Sequence, residues 1–235
     1  MKLLFSLNHP AHYFLFKFII INLKEKGHQI KIVIKDKDIL EKLMILEGVQ
    51  YHKFFRIRNR KNNFVSIFSN LILEIFKQDL QMYNTCMHYN PDVLIGTDVS
   101  ISHVGKLLGI KSLIYNEDDY EINKSFCLAT YPFADKIISP TYTSVGSYEY
   151  KKISYNGIQK MSYLNPKYYR PDSTIKEIAN IGPNEKYFII RLVNLTAGHD
   201  IYENHKGINV VNLRKIIRKL KPHGKIFISS EDDLS

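Results

Sequence analysis

The sequence predicts an α/β protein in which helices cover both faces of a parallel sheet. Residues 3–7 form a short apolar run, residues 8–12 a polar loop, and residues 13–23 a longer apolar segment, which together indicate strand, loop and helix. Gly27 is placed to end that helix in the left-handed conformation, and a second apolar run at 29–34 predicts the next strand. Strand, helix, glycine and strand is the repeating unit of a doubly wound sheet.

The same unit repeats down the chain as far as about residue 160. The predicted helices end near a glycine or a polar turn, and the predicted strands are short and apolar, as buried parallel strands are. We therefore expect residues 1–160 to form one complete Rossmann-like domain. Its further elements are predicted as helix 39–47, strand 49–55, helix 64–87, strand 93–95, helix 100–108, strand 111–115, helix 120–130, strand 136–139 and strand 151–155.

The pattern changes at residues 161–186. Pairs such as Asn165-Pro166 and Gly182-Pro183 are turn signals, so this stretch is predicted to be a linker with one short helix. Two strands alone are too few to bury both faces of a parallel sheet, so we expect residues 187–235 to be an incomplete C-terminal Rossmann-like domain of a truncated chain. Its predicted elements are strand 187–193, helix 207–220 and strand 225–229.

The composition is that of a folded globular chain without a membrane-spanning segment. With 235 residues and 45% hydrophobic content, the chain can bury a core. Lys17 and Glu74 interrupt long apolar runs, and the chain begins with a strand rather than a signal peptide. Cys86 and Cys127 lack metal-site spacing, which predicts reduced thiols in a cytoplasmic protein.

The charge of the chain is strongly positive. A formal net charge of +10 and a pI near 9.3 favour anionic partners, such as phosphorylated sugars, acidic lipid headgroups or nucleic acid. The segment from Lys53 to Lys61 interleaves aromatic and basic residues before an apolar helix. One hypothesis is peripheral docking of this segment on the anionic inner membrane face, and the other is a charged loop beside a core helix. No nucleic-acid-binding module pattern accompanies the charges, so nucleic acid is not an expected partner.

Two histidines lie in the loop after the first predicted strand. Pro10 suits the first position of a helix, with Asn8 or His9 as its cap. Because a helix N-terminus attracts anions, Asn8, His9 and His12 are candidates for binding a phosphate, and His12 for proton transfer. The alternative is that His9 is only an N-cap and His12 a half-buried packing residue. The loop has no glycine-rich pattern, which argues against an NAD site or a P-loop.

Acidic residues follow two later strands of the same predicted sheet. Asp98 comes after the fourth predicted strand and Glu117 after the fifth. Because the carboxyl ends of parallel strands share one edge, we expect both to lie with His12 around one cleft rim. The alternative for the neighbouring Asp118 and Asp119 is a role as N-caps of the next helix.

A set of short motifs resembles a known family. The motifs are Asn8-His9-Pro10-Ala11-His12, Lys26-Gly27-His28, Tyr155-Asn156-Gly157, Tyr163-Leu164-Asn165-Pro166, Arg170-Pro171-Asp172, Arg191-Leu192-Val193 and His199-Asp200. Together they cover the whole chain and resemble the prokaryotic domain-of-unknown-function family 354, which is similar to GT-B glycosyltransferases and to non-hydrolysing UDP-N-acetylglucosamine 2-epimerases. The resemblance implies two Rossmann-like domains facing across a cleft. Ser6 and Leu195 depart from it, because many relatives have an acidic residue at the first position and an aromatic residue at the second.

The likeness to the epimerases is looser and rests on two segments. Gly96-Thr97-Asp98 resembles their Gly-Asp-Thr segment with the last two residues exchanged, and Glu117 resembles their strand-end glutamate. In epimerases those acids serve proton transfer at the sugar. The resemblance therefore implies Asp98 and Glu117 as the acid/base pair of an epimerase.

The resemblance favours a glycosyltransferase-type enzyme that acts on a nucleotide-sugar in cell-surface polysaccharide or glycoconjugate synthesis. The N-terminal domain would bind a carbohydrate or lipid-linked acceptor, with His12 or Asp98 as the base. GT-B enzymes do not depend on a chelated metal, and neither a metal nor another cofactor is expected here. The residues expected to contact substrate or phosphate are Asn8, His9, His199 and Asp200.

Three alternatives stay open. One is sugar-nucleotide 2-epimerisation by Asp98 and Glu117. Another is a non-catalytic truncated remnant or binding subunit, which would need an oligomeric partner or a complementing downstream chain. For His199-Asp200, the alternative is a structural turn.

Overall fold

The computed structural model describes residues 1–35, 38–54, 64–172, 174–192 and 208–230. The chain divides into two compact units, Met1–Tyr169 and Arg170–Ser235. The elements of the first unit are β1 (Lys2–Leu7), α1 (Pro10–Glu25), β2 (Gln29–Lys35), α2 (Asp38–Leu46), β3 (His52–Phe54), α3 (Phe64–Tyr89), β4 (Val93–Gly96), α4 (Val99–Leu108), β5 (Lys111–Tyr115), α5 (Lys124–Thr130), β6 (Lys136–Pro140), a 3₁₀ helix (Gly146–Lys151), β7 (Lys152–Tyr155) and α6 (Met161–Leu164).

The first unit is built on one seven-stranded parallel sheet with the order β3-β2-β1-β4-β5-β6-β7. This arrangement confirms the predicted Rossmann-like fold class. The strand order reverses at β1, which pairs with β2 on one side and with β4 on the other. The carboxyl ends of β1 and β4 therefore border the topological switch point, where open α/β sheets usually bind their ligands.

Helices cover both faces of this sheet, and β1 shows why. Its residues Leu3, Phe5 and Leu7 pack with Phe16 of α1 in one buried cluster. Leu4, which points to the opposite face of the strand, belongs to a second cluster with residues of α3, α4 and α5. An apolar strand whose two faces are both buried can lie only in the middle of a doubly wound sheet.

The helix boundaries follow the signals in the sequence. Pro10 begins α1, and the His9 side chain caps it by accepting the Ala11 N–H at Nδ1, 3.2 Å away. Gly27 has φ +80°, as expected of a residue that ends a helix in the left-handed conformation. Asp98 caps α4 in the same way as His9 caps α1, by accepting the Ser100 N–H.

Two elements of the first unit begin three or more residues later than predicted, because nearby residues bond elsewhere. β3 starts at His52 rather than at Val49, whose N–H instead bonds the Met44 carbonyl at the end of α2. The predicted helix 120–130 begins only at Lys124. Tyr120 N–H bonds the Ser144 carbonyl, 2.9 Å away, and this tertiary bond replaces the first helical turn.

The chain after β7 returns to α1 before the first unit ends. Tyr163 of α6 lies 5.6 Å from Phe14, measured between ring centroids, and Tyr168 stacks on Phe18 at 4.3 Å. The Tyr168 hydroxyl also accepts a hydrogen bond from Asn22 Nδ2, 3.0 Å away. The first part of the predicted linker, up to Tyr169, thus packs within the first unit.

The second unit contains α7 (Ile175–Ile178), β8 (Tyr187–Leu192), α8 (Val210–Leu220) and β9 (Lys225–Ser230), besides a 3₁₀ turn (Lys221–His223). β8 and β9 pair in parallel, with Tyr187 opposite Lys225 and Leu192 opposite Ser230. Asn209 caps α8 by accepting the Asn212 N–H, 2.8 Å away.

We predict that Gly96→Ala destabilises the first unit by about 2 kcal/mol, because a methyl group at this position would overlap the Ser6 carbonyl oxygen of β1. Gly27→Ala is the matched control. Gly27 also has a positive φ, but its added methyl would meet no atom within 4 Å, so only backbone strain of about 1 kcal/mol is expected. Urea unfolding of the two variants measures the difference, and equal losses would contradict the close approach of β1 and β4.

Candidate functional site

The residues that follow β1 and β4 meet at the switch point. His12, in the first turn of α1, lies with Nδ1 2.7 Å from Thr97 Oγ1, just after β4. The same nitrogen accepts the Asn8 N–H, 3.2 Å away. Two adjacent strand ends are thus joined through one imidazole ring, and His12 is held in a defined orientation.

These contacts determine which nitrogen of His12 can donate. A ring nitrogen that accepts an N–H carries no proton, so the neutral His12 ring has its proton on Nε2. The Thr97 hydroxyl then donates to Nδ1. In this state Nε2 carries the N–H, and it also lies 3.3 Å from Thr97 Oγ1. An N–H at this position suits stabilisation of negative charge on a ligand oxygen.

His9 and Asn8 flank His12 at the same strand end. The His9 ring is exposed and lies 6.1 Å from the His12 ring, measured between centroids. Its Nδ1 caps α1, so a neutral His9 also has its proton on Nε2. The side-chain oxygen of Asn8 is buried and makes no hydrogen bond within the described part of the chain. The N-terminal end of α1 therefore gathers donors and one unsatisfied amide oxygen at the switch point.

Asp98 lies at the same edge but is fully buried. Its Oδ1 forms an ion pair with Lys35 Nζ at 3.1 Å and accepts the Ser100 N–H at 3.3 Å. Its Oδ2 accepts a hydrogen bond from Ser6 Oγ at 2.9 Å. An acidic side chain at position 6 would place a second negative charge against Asp98, so serine fits this carboxylate well.

The electrostatics of Asp98 keep it ionised. Burial acts to raise its pKa, but the positive charge of Lys35 and the hydrogen bonds from Lys35, Ser6 and Ser100 outweigh burial and lower it. A buried carboxylate with a lowered pKa and several partners is a weak proton acceptor. The geometry therefore favours Asp98 as a residue that positions strand ends and caps α4.

Glu117 follows β5 and lies against the loop after β7. One oxygen, Oε1, pairs with Lys160 Nζ, and the other accepts the Gln159 N–H, 3.1 Å away. The backbone carbonyl of Glu117 accepts from Thr143 Oγ1, 3.2 Å away. The hydrogen bond to Glu117 also raises the pKa of Lys160. Glu117 thus holds the loop at 156–160, between β7 and α6, in place.

The structure forms two groups from the residues predicted at the site. Asn8, His9, His12 and Asp98 lie at the ends of β1 and β4, whereas Glu117 belongs to the ends of β5 and β7. His199 and Asp200 lie outside the described residues. Sequence reasoning did not identify Thr97, Lys35, Ser6 and Lys160 as partners of these side chains.

Two further observations concern the described residue ranges. They contain no group of three or more His, Cys, Asp or Glu side chains that could hold a metal ion. Among their helices, none is both long enough and apolar enough to cross a membrane.

No protein-family model matches the chain, and no curated protein sequence matches it. Solved structures do match. The UDP-GlcNAc 2-epimerase of Methanocaldococcus jannaschii has a TM-score of 0.66 at 14% identity, over 98% of this chain and 73% of that one. The UDP-GlcNAc 2-epimerase of Neisseria meningitidis, bound to UDP-GlcNAc, has a TM-score of 0.61 at 12% identity. The match covers 99% of this chain and 73% of that one. A glycosyltransferase of Rickettsia africae has a TM-score of 0.54 at 15% identity, and the match covers 99% of this chain and 68% of that one.

These matches show the fold. The chain has the Rossmann-like, GT-B-like architecture of nucleotide-sugar epimerases and glycosyltransferases, and the matches cover nearly all of it. Identities of 12–15% do not decide between the two activities. The resemblance to family 354 stays a prediction.

We predict that Asp98→Asn lowers the free energy of unfolding by about 3 kcal/mol at neutral pH, because it leaves Lys35 without its buried counter-charge. A carboxylate with a lowered pKa stabilises the fold above its unfolded value of about 3.9, and that contribution is lost as the pH falls through the folded value. The difference in free energy of unfolding between wild type and variant should therefore become smaller below about pH 4.

Lys111→Ala is the control for this prediction. Lys111 pairs with Asp135 at 3.4 Å, but its side chain is 74% exposed, so its loss should cost less than about 1 kcal/mol. Chemical denaturation across a pH series measures both variants. If Asp98→Asn lowers the free energy of unfolding as little as Lys111→Ala does, the result would contradict a structural role for the buried pair.

Proposed function

We propose that the protein transfers a sugar from a nucleotide-sugar to a carbohydrate or lipid-linked acceptor, in the synthesis of cell-surface polysaccharide or glycoconjugate. The observation that carries this proposal is the contact between His12 and Thr97 at the switch point of the sheet. Ligands of open α/β sheets bind at this place, and here it combines a helix N-terminus with two imidazole rings.

Sugar transfer requires stabilisation mainly of the charge that develops on the leaving group. A bond forms between an acceptor hydroxyl oxygen and the anomeric carbon of the sugar, while the bond from that carbon to the diphosphate oxygen breaks. The hydroxyl proton passes to the departing diphosphate or to solvent. The nucleoside diphosphate leaves with added negative charge. In the proposal, the Nε2–H groups of His12 and His9 and the N-terminus of α1 stabilise that charge. His199 and Asp200 are assigned to further substrate or phosphate contacts.

Epimerisation fits the same fold but fits these side chains less well. It would require Asp98 and Glu117 to exchange protons with the sugar. The Asp98 side chain has no exposed surface and is held by Lys35, Ser6 and Ser100. Both oxygens of Glu117 have partners on the loop after β7. A positioning role for these two carboxylates leaves His12 as the residue proposed to act on the substrate.

The choice of donor to test first follows from the similar structures. The N. meningitidis epimerase was determined with UDP-GlcNAc, so UDP-sugars are the first candidates for this chain. Transfer and epimerisation give different signals with that compound. Transfer consumes it only when an acceptor is present, whereas epimerisation in D₂O places deuterium at C2 without one.

We predict that His12→Ala lowers the transfer rate about 100-fold, because one preorganised donor to the leaving group is lost. His12→Gln retains an amide N–H, so it should lower the transfer rate less than His12→Ala does. His28→Ala is the control, since His28 precedes β2 at the opposite edge of the sheet. UDP release in the presence of an acceptor panel measures all three variants.

Either of two results would contradict the assignment. One is deuterium at C2 of UDP-GlcNAc without an acceptor, which would indicate an epimerase. The other is a transfer rate that responds equally to changes at His12 and His28. No turnover of any UDP-sugar would favour the non-catalytic binding subunit.

We also propose peripheral contact with an anionic membrane through the segment from Lys53 to Lys61. Most of this segment lies outside the described residues. The support comes from α3, which follows it and exposes several large apolar side chains, each at least half accessible. They are Ile72, Leu73, Phe76, Leu80 and Met87.

We predict that the protein co-sediments with phosphatidylserine vesicles and not with phosphatidylcholine vesicles, because the basic side chains need anionic headgroups. Replacing Arg56, Arg58 and Arg60 with Ser should reduce the bound fraction severalfold. Added salt should reduce it too, since it screens exposed charges. Binding that persists unchanged in the triple variant would contradict this contact.

A further inference from the structure

A pocket of about 390 Å³ opens at the carboxyl ends of β5, β6 and β7, within the first unit. Its size lies in the roughly 300–1,000 Å³ range of small-molecule sites. α1 forms one wall, and the loop that follows β7 forms the other. The walls are mainly apolar and include Leu15, Ile19, Tyr115, Ile138 and Met161.

Three polar atoms on this pocket's lining are buried and without partners. They are Tyr155 OH, Gln159 Nε2 and Ser162 Oγ, and none makes a hydrogen bond within the described part of the chain. A buried polar atom without a partner costs free energy, and folded proteins rarely keep one without a reason. Three such atoms on one small lining indicate that a bound molecule supplies the missing partner.

All three groups can act as donors. Burial and then the charge of Glu117 raise the pKa of Tyr155 to about 12, so the hydroxyl keeps its proton at neutral pH. The Gln159 amide acts against this rise, although its nitrogen and the Tyr155 hydroxyl do not meet hydrogen-bond geometry. The amide nitrogen can only donate, and the Ser162 hydroxyl can also donate. Their common complement is an oxygen that accepts.

The lining also restricts the charge of the ligand. Among the residues that the structure describes, no Asp, Glu, Lys, Arg or His side chain lines the pocket, and the nearby Glu117 is paired with Lys160. A charged group would lose its hydration here without gaining a counter-ion. A bare hexose would leave most of its hydroxyls against aliphatic walls, which is also unfavourable.

We propose that this pocket binds an uncharged, mainly apolar group that carries one carbonyl or hydroxyl oxygen. The oxygen accepts from the Tyr155 hydroxyl and from one of the other two donors, and the rest of the group packs on the aliphatic and tyrosine walls. Glu117 is a positioning residue for this site, because it fixes the backbone of Gln159 and pairs with Lys160. Resting on the proposed function, the pocket is the subsite for an acyl or aryl portion of the acceptor.

Methionine NMR tests the pocket directly on the full chain. The chain has five methionines, so methyl labelling gives few signals. Met161 lines the pocket, whereas Met87 is exposed on α3 and Met44 is buried elsewhere in the core. The probes are acetophenone, which has a ring and a carbonyl oxygen, toluene, which lacks the oxygen, and benzoate, which is charged.

We expect acetophenone to shift the Met161 methyl signal and to leave the Met87 and Met44 signals unchanged. Toluene should bind about 3- to 10-fold more weakly, because it accepts no hydrogen bond. Benzoate should bind more weakly still. No Met161 shift with any probe, or a benzoate affinity equal to that of acetophenone, would overturn the proposal.

Tyr155→Phe separates ligand binding from a structural role. It removes an unpartnered hydroxyl, so the melting temperature of the free protein should stay equal or rise, while acetophenone affinity falls about 3- to 10-fold. Tyr89→Phe is the matched control, since the Tyr89 hydroxyl is also buried without a partner but lies at the end of α3. It should leave acetophenone binding unchanged. A lower melting temperature for Tyr155→Phe, or unchanged binding, would overturn the assignment.

The acceptor assignment is tested apart from the pocket. If the pocket takes an acyl or aryl portion, a phenyl glycoside should be a better transfer acceptor than the matching methyl glycoside, and Tyr155→Phe should reduce that preference. If acetophenone binds but no sugar transfer occurs, the proposed transferase activity would be refuted while the proposed ligand site would stand. Transfer without acetophenone binding would refute the pocket alone.

Discussion

The ion pair between Asp98 and Lys35 is the interaction on which this sheet edge depends. Lys35 ends β2, Ser6 belongs to β1, and Asp98 follows β4, so one buried carboxylate joins the carboxyl ends of three adjacent strands. The same side chain caps α4 through the Ser100 N–H. Thr97 immediately precedes Asp98, so its distance to His12 is set by this network. A buried charge with complete partners gives a rigid edge, at the cost of desolvating both ions.

The fold could be predicted from the sequence because its signals are local. Apolar runs located the strands, and Gly27 and Pro10 marked the ends of α1. The errors occurred where a distant residue competed for a local bond. Ser144 takes the N–H of Tyr120, and α5 consequently begins later than predicted. Such a bond depends on the relative positions of β5 and β6, which no local pattern contains.

The edge of the sheet at which these candidate residues lie was predictable, but the partners of their side chains were not. Parallel strands place Asp98 and Glu117 at the same edge as His12, and the sequence predicted this from strand ends alone. The pairing of Asp98 with Lys35 needs the strand order β2-β1-β4, and the pairing of Glu117 with Lys160 needs the return of the chain after β7. The resemblance marked Ser6 as a departure without indicating that it donates to Asp98.

The lysines near this edge carry less electrostatic influence than the net charge of +10 suggests. Lys35, Lys53 and Lys160 each lie against a carboxylate, at Asp98, Glu41 and Glu117 respectively. Such pairs act as short dipoles, whose fields decay much faster with distance than the field of a lone cation. These three pairs would therefore contribute little to the long-range attraction of an anionic ligand. The directional donors at the strand ends would instead act chiefly on how long a bound ligand stays.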